Sequence, residues 1–352
     1  MAPQIALIGM FALLVSMLAT GIVRRLALSH GVLDVPNERS SHSTATPRGG
    51  GAAVVAAFTA ATVALLLYGA LSAQLFVALF GGGLAVALVG FLDDRYRVRA
   101  GVRLTIHLGA ALWALAWLGG MPPLRIGEHV VQLGLVGPVL ATLGLMWTLN
   151  FFNFMDGIDG IAASEAVFVT GGAALLSLVG ASAGMNDSVG LAGLDLGPAI
   201  VFGAACCGFL IWNWPPAKIF MGDVGSGYTG YVIAVLALSA TRTNPAALWS
   251  WLILSGLFFV DATVTLVRRT LRGERVQEAH RSHAYQWLAR RWRSHRRVTL
   301  LFLTINLLWL LPCAALASLH PTRAAWITCI ALAPLVPLAL AAGAGRRETA
   351  TP

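Results

Sequence analysis

The chain has 352 residues, 57% of them hydrophobic and 11% charged, with a mean hydropathy of +0.76. That makeup excludes an ordinary soluble globule and marks an all-α integral membrane protein, with the bilayer as its first partner. The net charge of +9 has no soluble basic domain to carry it, which excludes nucleic acid as a partner and points to anionic headgroups and phosphorylated substrates.

A spanning helix needs about 20 mainly apolar residues. About eleven transmembrane stretches meet this in chain order: 3–23, 50–70, 74–92, 102–119, 134–152, 161–181, 196–212, 227–241, 246–267, 298–319 and 324–342. The first is followed by Arg24 and Arg25 and lacks a cleavage signal, so it reads as a retained anchor. Of the 24 basic residues, only Arg125, Arg242 and Arg323 fall in loops on the minority side. Basic residues in short loops stay cytoplasmic. The N-terminus is therefore expected in the periplasm and the C-terminus in the cytoplasm, with an odd number of spans between them. Cys206, Cys207, Cys313 and Cys329 lie in apolar stretches without metal-ligand spacing and read as small core residues. No repeat or long linker divides the chain, so 1–352 is one polytopic domain. Its loops 24–49, 93–103, 153–160, 213–226 and 268–297 share the cytoplasmic face.

Those loops hold the polar residues. The first gathers Arg39, His42 and Arg48 before the run Gly49-Gly50-Gly51, which serves as a turn or as a phosphate contact at a helix N-terminus. The third span ends in Asp93 and Asp94, adjacent carboxylates that repel unless a cation or the nearby arginines compensate them. His107 lies inside the next span and reads as a hydrogen-bonded helix contact. If the fifth helix continues, Asn150, Asn153, Asp156 and Asp159 follow at a spacing of three. A capped helix end with Asp-Gly turns accounts for Gly157 and Gly160 but leaves the asparagines unexplained.

The densest motif runs from Asn213 to Ser226 and holds Lys218, the sole lysine, together with Asp223. Its Gly222 and Gly225, with Gly227 just after, offer backbone N–H groups to an anion, while Asp223 offers hard oxygen to a cation. The last loop carries His280, Arg281 and His283, followed by an arginine-rich stretch whose Trp287 and Trp292 suit headgroup depth. A zinc pair at His280 and His283 lacks a third ligand nearby, and phosphate contact fits the other loops better. Asp93, Asp94, Asp156, Asp159 and Asp223 thus put five carboxylates on one face. A divalent cation bridging a phosphorylated substrate explains such a set; neutral packing does not.

Asn153-Phe-Met-Asp-Gly-Ile-Asp-Gly160 and Pro216-Ala-Lys-Ile-Phe-Met-Gly-Asp-Val-Gly-Ser226, in this order with the Asp93-Asp94 pair, resemble the polyprenyl-phosphate N-acetylhexosamine-1-phosphate transferases. That group also includes the phospho-N-acetylmuramoyl-pentapeptide transferases. His280-Arg-Ser-His-Ala-Tyr-Gln286 looks like the branch that starts O-antigen and related glycans. Ala45 departs from a frequent proline of the family, and His107 from a frequent glutamine.

The resemblance implies attack of undecaprenyl (polyprenyl) phosphate on the β-phosphorus of a UDP-N-acetylhexosamine at the bacterial inner membrane. The reaction releases UMP and requires Mg²⁺, with Mn²⁺ as an alternative; a homodimer is one assembly open to the chain. It also implies roles: Asp223 and Asp156 for the metal, and Asp93 or Asp94 as base or positioning group on the lipid phosphate. Asp159 would support metal or nucleotide, Asn153, Asn213 and Lys218 the nucleotide sugar, and His280, Arg281 and His283 the diphosphate. Arg39, His42 and Arg48 would bind phosphate. A polyprenyl-lipid flippase or secondary transporter is the rival from another class. It would spread charged groups toward the membrane middle and both faces, whereas here they crowd one.

Overall fold

A computed structural model describes residues 2–35, 44–96, 98–182, 196–274 and 280–347. Its helices are α1 (Ala2–Ser29), α2 (Gly51–Leu67), α3 (Ala73–Tyr96), α4 (Ala100–Leu118), α5 (Val136–Met155), α6 (Ile161–Ser182), α7 (Leu196–Asn213) and α8 (Asp223–Thr243). They continue with α9 (Ala247–Leu254), α10 (Gly256–Leu271), α11 (Ala284–Trp292), α12 (His295–Leu319) and α13 (Pro321–Ala341). Among the described residues, nine helices are long and apolar enough to cross a membrane, or ten with the α9–α10 pair counted as one; α2, with 17 residues, is shorter. The all-α expectation needs two small additions. Leu33–Asp34 (β1) pairs with Thr46–Pro47 (β2), and Leu124–Ile126 (β3) with His129–Val131 (β4), each antiparallel.

Three expectations change in detail. The stretch 246–267 is not one straight span: the chain bends by 71° at Ser255-Gly256, a Gly/Ser pair of the kind that kinks helices. The stretch 227–241 begins earlier, because Asp223 already opens the helix. Cys329 is exposed on α13 and does not join the core as Cys206 and Cys313 do.

The bundle is built around α8. In its most apolar 18-residue stretch 94% of the residues are buried, against 28% for α1 and α13, so α8 is central and those two are peripheral. Burial on all sides requires neighbours to come close, and small residues permit that between membrane helices. A Cβ on Gly51 of α2 would lie 2.3 Å from the Gly225 Cα, one on Gly90 of α3 would lie 2.3 Å from the Asp223 carbonyl oxygen, and one on Gly230 would lie 2.5 Å from the Thr148 carbonyl oxygen of α5. Tyr231 fixes the register with α3: its hydroxyl donates to the Ala78 carbonyl at 2.7 Å, at the start of the wide turn Ala78–Gly82. These contacts bring the ends of α2, α3, α5 and α8 to one point.

Candidate active site

A helix start leaves backbone N–H groups without intrahelical partners. At α8 those of the first turn are used. The N–H groups of Asp223 and Val224 donate to the two carboxylate oxygens of Asp94 at 2.9 and 3.2 Å, and those of Gly225 and Ser226 to the Gly222 carbonyl at 3.0 Å each. The Gly225 N–H is therefore not offered to an external anion, and the anion at this helix terminus is Asp94 itself. Gly222 is glycine for its φ of 75°, and Gly225 for its contact with α2. The run before α2 is spent in the same way, since the N–H groups of Gly50 and Gly51 donate to the carbonyls of Phe220 and Met221 at 2.9 and 2.8 Å.

That pairing carries Arg48 into the site. Its Nε lies 2.8 Å from Asp94 Oδ1 and its Nη2 3.0 Å from Asp223 Oδ1. Burial opposes the guanidinium charge, but Asp223 and Asp94 outweigh it and hold the pKa of Arg48 above the ordinary arginine value. Arg103, in the first turn of α4, pairs with Asp93 and lies 3.6 Å from Asp223 Oδ2. Asp93 also accepts the Val98 N–H at 2.6 Å. From the end of α5, Asn153 donates to Asp223 Oδ1 at 3.1 Å and to Ser226 Oγ at 3.0 Å. Asp223 is thus the common partner of Arg48, Arg103 and Asn153.

Asp156 follows α5 directly, because the helix stops at Met155 and the even stripe of polar residues ends there. Desolvation pushes its carboxyl well above the usual range, and repulsion from Asp223 adds to the effect, while Arg48 opposes it. Its side chain has no hydrogen bond among the described residues. Asp159 turns elsewhere: its carboxylate accepts from Ala217 N–H at 3.0 Å and lies 3.1 Å from His295 Nδ1, tying the 213–222 segment to α12.

Asn213 is buried, with both amide atoms on backbone. It accepts from Gly160 N–H and donates to the Ile219 carbonyl, each at 3.0 Å. Lys218 is exposed, its ammonium 5.6 Å from the Trp212 ring centre, and it does not line the cavity described next. Arg39 and His42 lie outside the described residues.

A cavity of about 550 Å³ is lined by Asp223, Arg103, His107, Asn153, His280 and His283 among others. His280 Nδ1 is hydrogen-bonded to the Arg269 guanidinium. The His283 ring stacks on Phe154 and Tyr285, with centres 6.1 and 5.9 Å away. Between His280 and His283, Arg281 offers its carbonyl to Arg290 Nη2 at 2.9 Å. Among the described residues no three His, Cys, Asp or Glu side chains form a metal-binding group, zinc included.

Sequence reasoning missed two residues here. Arg103 entered it only as a charge that sets orientation. Asp261, 3% exposed in α10, accepts from the Ala284 and Tyr285 N–H groups at 2.9 and 3.1 Å and so caps α11 beside His283. An acidic residue within an apolar stretch was the available signal. The Trp287 ring is covered by Arg290 and Arg346, at 4.5 and 5.7 Å from its centre.

A second cavity, of about 300 Å³, is almost wholly apolar, with Leu140, Gly144, Leu145, Phe151, Ile233 and Trp251 among its lining. Trp147 lines both cavities.

The description "glycosyl transferase family 4" matches residues 76–241. A probable undecaprenyl-phosphate N-acetylglucosaminyl 1-phosphate transferase of Bacillus subtilis is 30% identical over 312 residues, 87% of this chain and 83% of that protein. The chain belongs to glycosyl transferase family 4. Among other relatives, the decaprenyl-phosphate N-acetylglucosaminephosphotransferase of Mycobacterium tuberculosis is 32% identical over 326 residues, 85% of this chain and 79% of that protein. A phospho-N-acetylmuramoyl-pentapeptide-transferase of Moorella thermoacetica is 31% identical over 214 residues, 56% of this chain and 62% of that protein. The matched region of the family 4 description contains Asp93, Asp94, Arg103, Asn153, Asp156 and Asp223. The protein is a multi-pass membrane transferase of this family.

Proposed function

We propose that the protein transfers N-acetylhexosamine-1-phosphate from a UDP-N-acetylhexosamine to undecaprenyl or another polyprenyl phosphate. We place this at the cytoplasmic face of a bacterial inner membrane, as the first step of an O-antigen-like lipid-linked glycan. The observation that carries this reading is the pairing of a charged cavity with an apolar one across Trp147. A polyprenyl phosphate has the same division, an anionic head on a hydrocarbon tail.

In the reaction an oxygen of the lipid phosphate forms a bond to the β-phosphorus of the UDP-sugar. The bond from that phosphorus to the α-phosphate oxygen breaks, and UMP leaves with the electron pair. Arg48 and Arg103 are the cations assigned to phosphate oxygens in this reading: Arg103 lines the charged cavity together with His280 and His283, and Arg48 reaches it through Asp223, which both arginines approach. Asp93 and Asp94 have their oxygens on backbone N–H groups and arginines, which supports positioning work for both.

The donor set fits magnesium. Asp93, Asp94, Asp156 and Asp223 outnumber Arg48 and Arg103, all their donors are hard oxygens, and Asp156 is without a hydrogen bond among the described residues. An ion that takes one or two carboxylates and keeps several waters needs no prebuilt protein cage. Asp223 and Asp156 would hold it, and when bound it would neutralise charge on the transferring phosphoryl oxygens.

The test is UMP release by purified protein given undecaprenyl phosphate and a panel of UDP-N-acetyl sugars, with and without chelator. Release with one sugar, abolished by chelator and restored by Mg²⁺, is expected. No release with any sugar, together with lipid transfer between leaflets of proteoliposomes, overturns the reading in favour of a flippase.

A further inference from the structure

His280 and His283 line the polar cavity, yet the segment they bound belongs to no helix or strand. Groups outside it must therefore set its position. On one side Arg290 and Asp261 do so, through the Arg281 carbonyl and the start of α11. On the other side lies the chain after α13. Gly343 and Gly345 take φ of 101° and 66°, values that only glycine adopts freely, and fold the chain back so that Ala344 is fully buried.

Each of the residues 343–347 then meets this loop or its supports. A Cβ on Gly343 would lie 2.9 Å from the Trp287 ring. The Ala344 carbonyl accepts from Arg268 Nη1 at 2.6 Å. The Gly345 N–H donates to the Ser282 carbonyl at 2.7 Å, between Arg281 and His283. Arg346 covers the Trp287 ring, and Arg347 Nε lies 3.4 Å from Glu274, whose other oxygen is 3.0 Å from Arg269 Nε. Arg269 in turn holds His280.

We propose that Gly343–Arg347 form a strap that positions the His280–His283 loop and so sets one wall of the polar cavity. The catalytic consequence rests on the transferase reading above. The position of the loop does not.

The test compares the intact chain with three variants: Gly345→Val, a chain ending at Ala341, and a chain ending at Arg347. A Cβ on Gly345 would lie 2.8 Å from Arg268 Cβ and 3.1 Å from the Thr265 carbonyl oxygen, so Val displaces the strap without removing it. Diethyl pyrocarbonate labelling of His283, 3% exposed in the intact protein, reports loop position. UMP release reports kcat and KM. For Gly345→Val and for the chain ending at Ala341 we expect labelling about tenfold faster and kcat about tenfold or more lower, with the thermal midpoint moved by no more than about 4 °C. The chain ending at Arg347 should match the intact protein in every readout.

Unchanged labelling in both strap variants overturns the proposal, as does an equal effect from removing residues 348–352 alone. Faster labelling in a protein that releases no UMP even when intact upholds the strap and removes the transferase reading instead.

Discussion

Replacing Asp94 tests whether the site is held together by a carboxylate at a helix terminus. The Asp94 side chain is 7% exposed and holds two backbone N–H groups of α8 at 2.9 and 3.2 Å and Arg48 at 2.8 Å. Losing a helix N-cap costs about 0.5–2 kcal/mol, and hydrogen bonds to a charged group are worth about 1.5–3 kcal/mol each. Arg48 keeps Asp223 at 3.0 Å and is 33% exposed, so it is not left as an isolated buried charge. The larger penalty for stranding an ion therefore does not apply in full.

Asp94→Ala should then destabilise the protein by about 2–4 kcal/mol. Asp94→Asn keeps one acceptor oxygen and should cost about half as much. Both should lower turnover by up to about a hundredfold, because Asp223 sits on the turn that Asp94 fixes. Thermal unfolding in detergent gives the first quantity and UMP release the second. An Asp94→Ala protein that melts and turns over like the unaltered one refutes the positioning role.

Arg103→Gln removes the one cation paired with Asp93 and should cut kcat/KM about tenfold or more, with partial recovery in Arg103→Lys; equal kinetics would return Arg103 to an orientation charge. Gly225→Ala puts a Cβ 2.4 Å from Met221 Cγ and 2.6 Å from the Gly51 Cα, and overpacking of this kind costs about 1–3 kcal/mol or more, read as a lowered melting temperature. Lys218→Gln should change kcat/KM by less than about threefold, as expected for an exposed residue outside the cavity, and a larger loss in KM for the UDP-sugar would bring Lys218 back to the substrate.

The polar motifs were legible because charge in an apolar chain is costly and so marks its own position: Asp93, Asp94, Asp156 and Asp223 stood out at the ends of apolar runs. Which atoms they serve was not legible. Asp94 is 129 residues from the amide it caps, and Arg48 is 175 from Asp223, so nothing local in the sequence pairs them. The glycines misled for a related reason. A glycine that frees an N–H for an anion and one that admits a neighbouring helix read alike in sequence, and Gly225 proves to be the second kind only because Gly51 lies against it.

On the transferase reading, this difference decides which groups would bind phosphate. With its terminal N–H groups held by Asp94 and Gly222, α8 has no free amide in its first turn for a substrate anion. Positive charge must come from side chains. Arg48 and Arg103 supply it from two different helix starts, each leaning on a carboxylate that a phosphate could replace. Such an exchange of partners needs no movement of α8, the most enclosed of the candidate spans, and asks only that two arginine side chains turn. The acidic residues thus hold two cations ready at the helix ends, where an unpaired, half-buried guanidinium would be costly to keep.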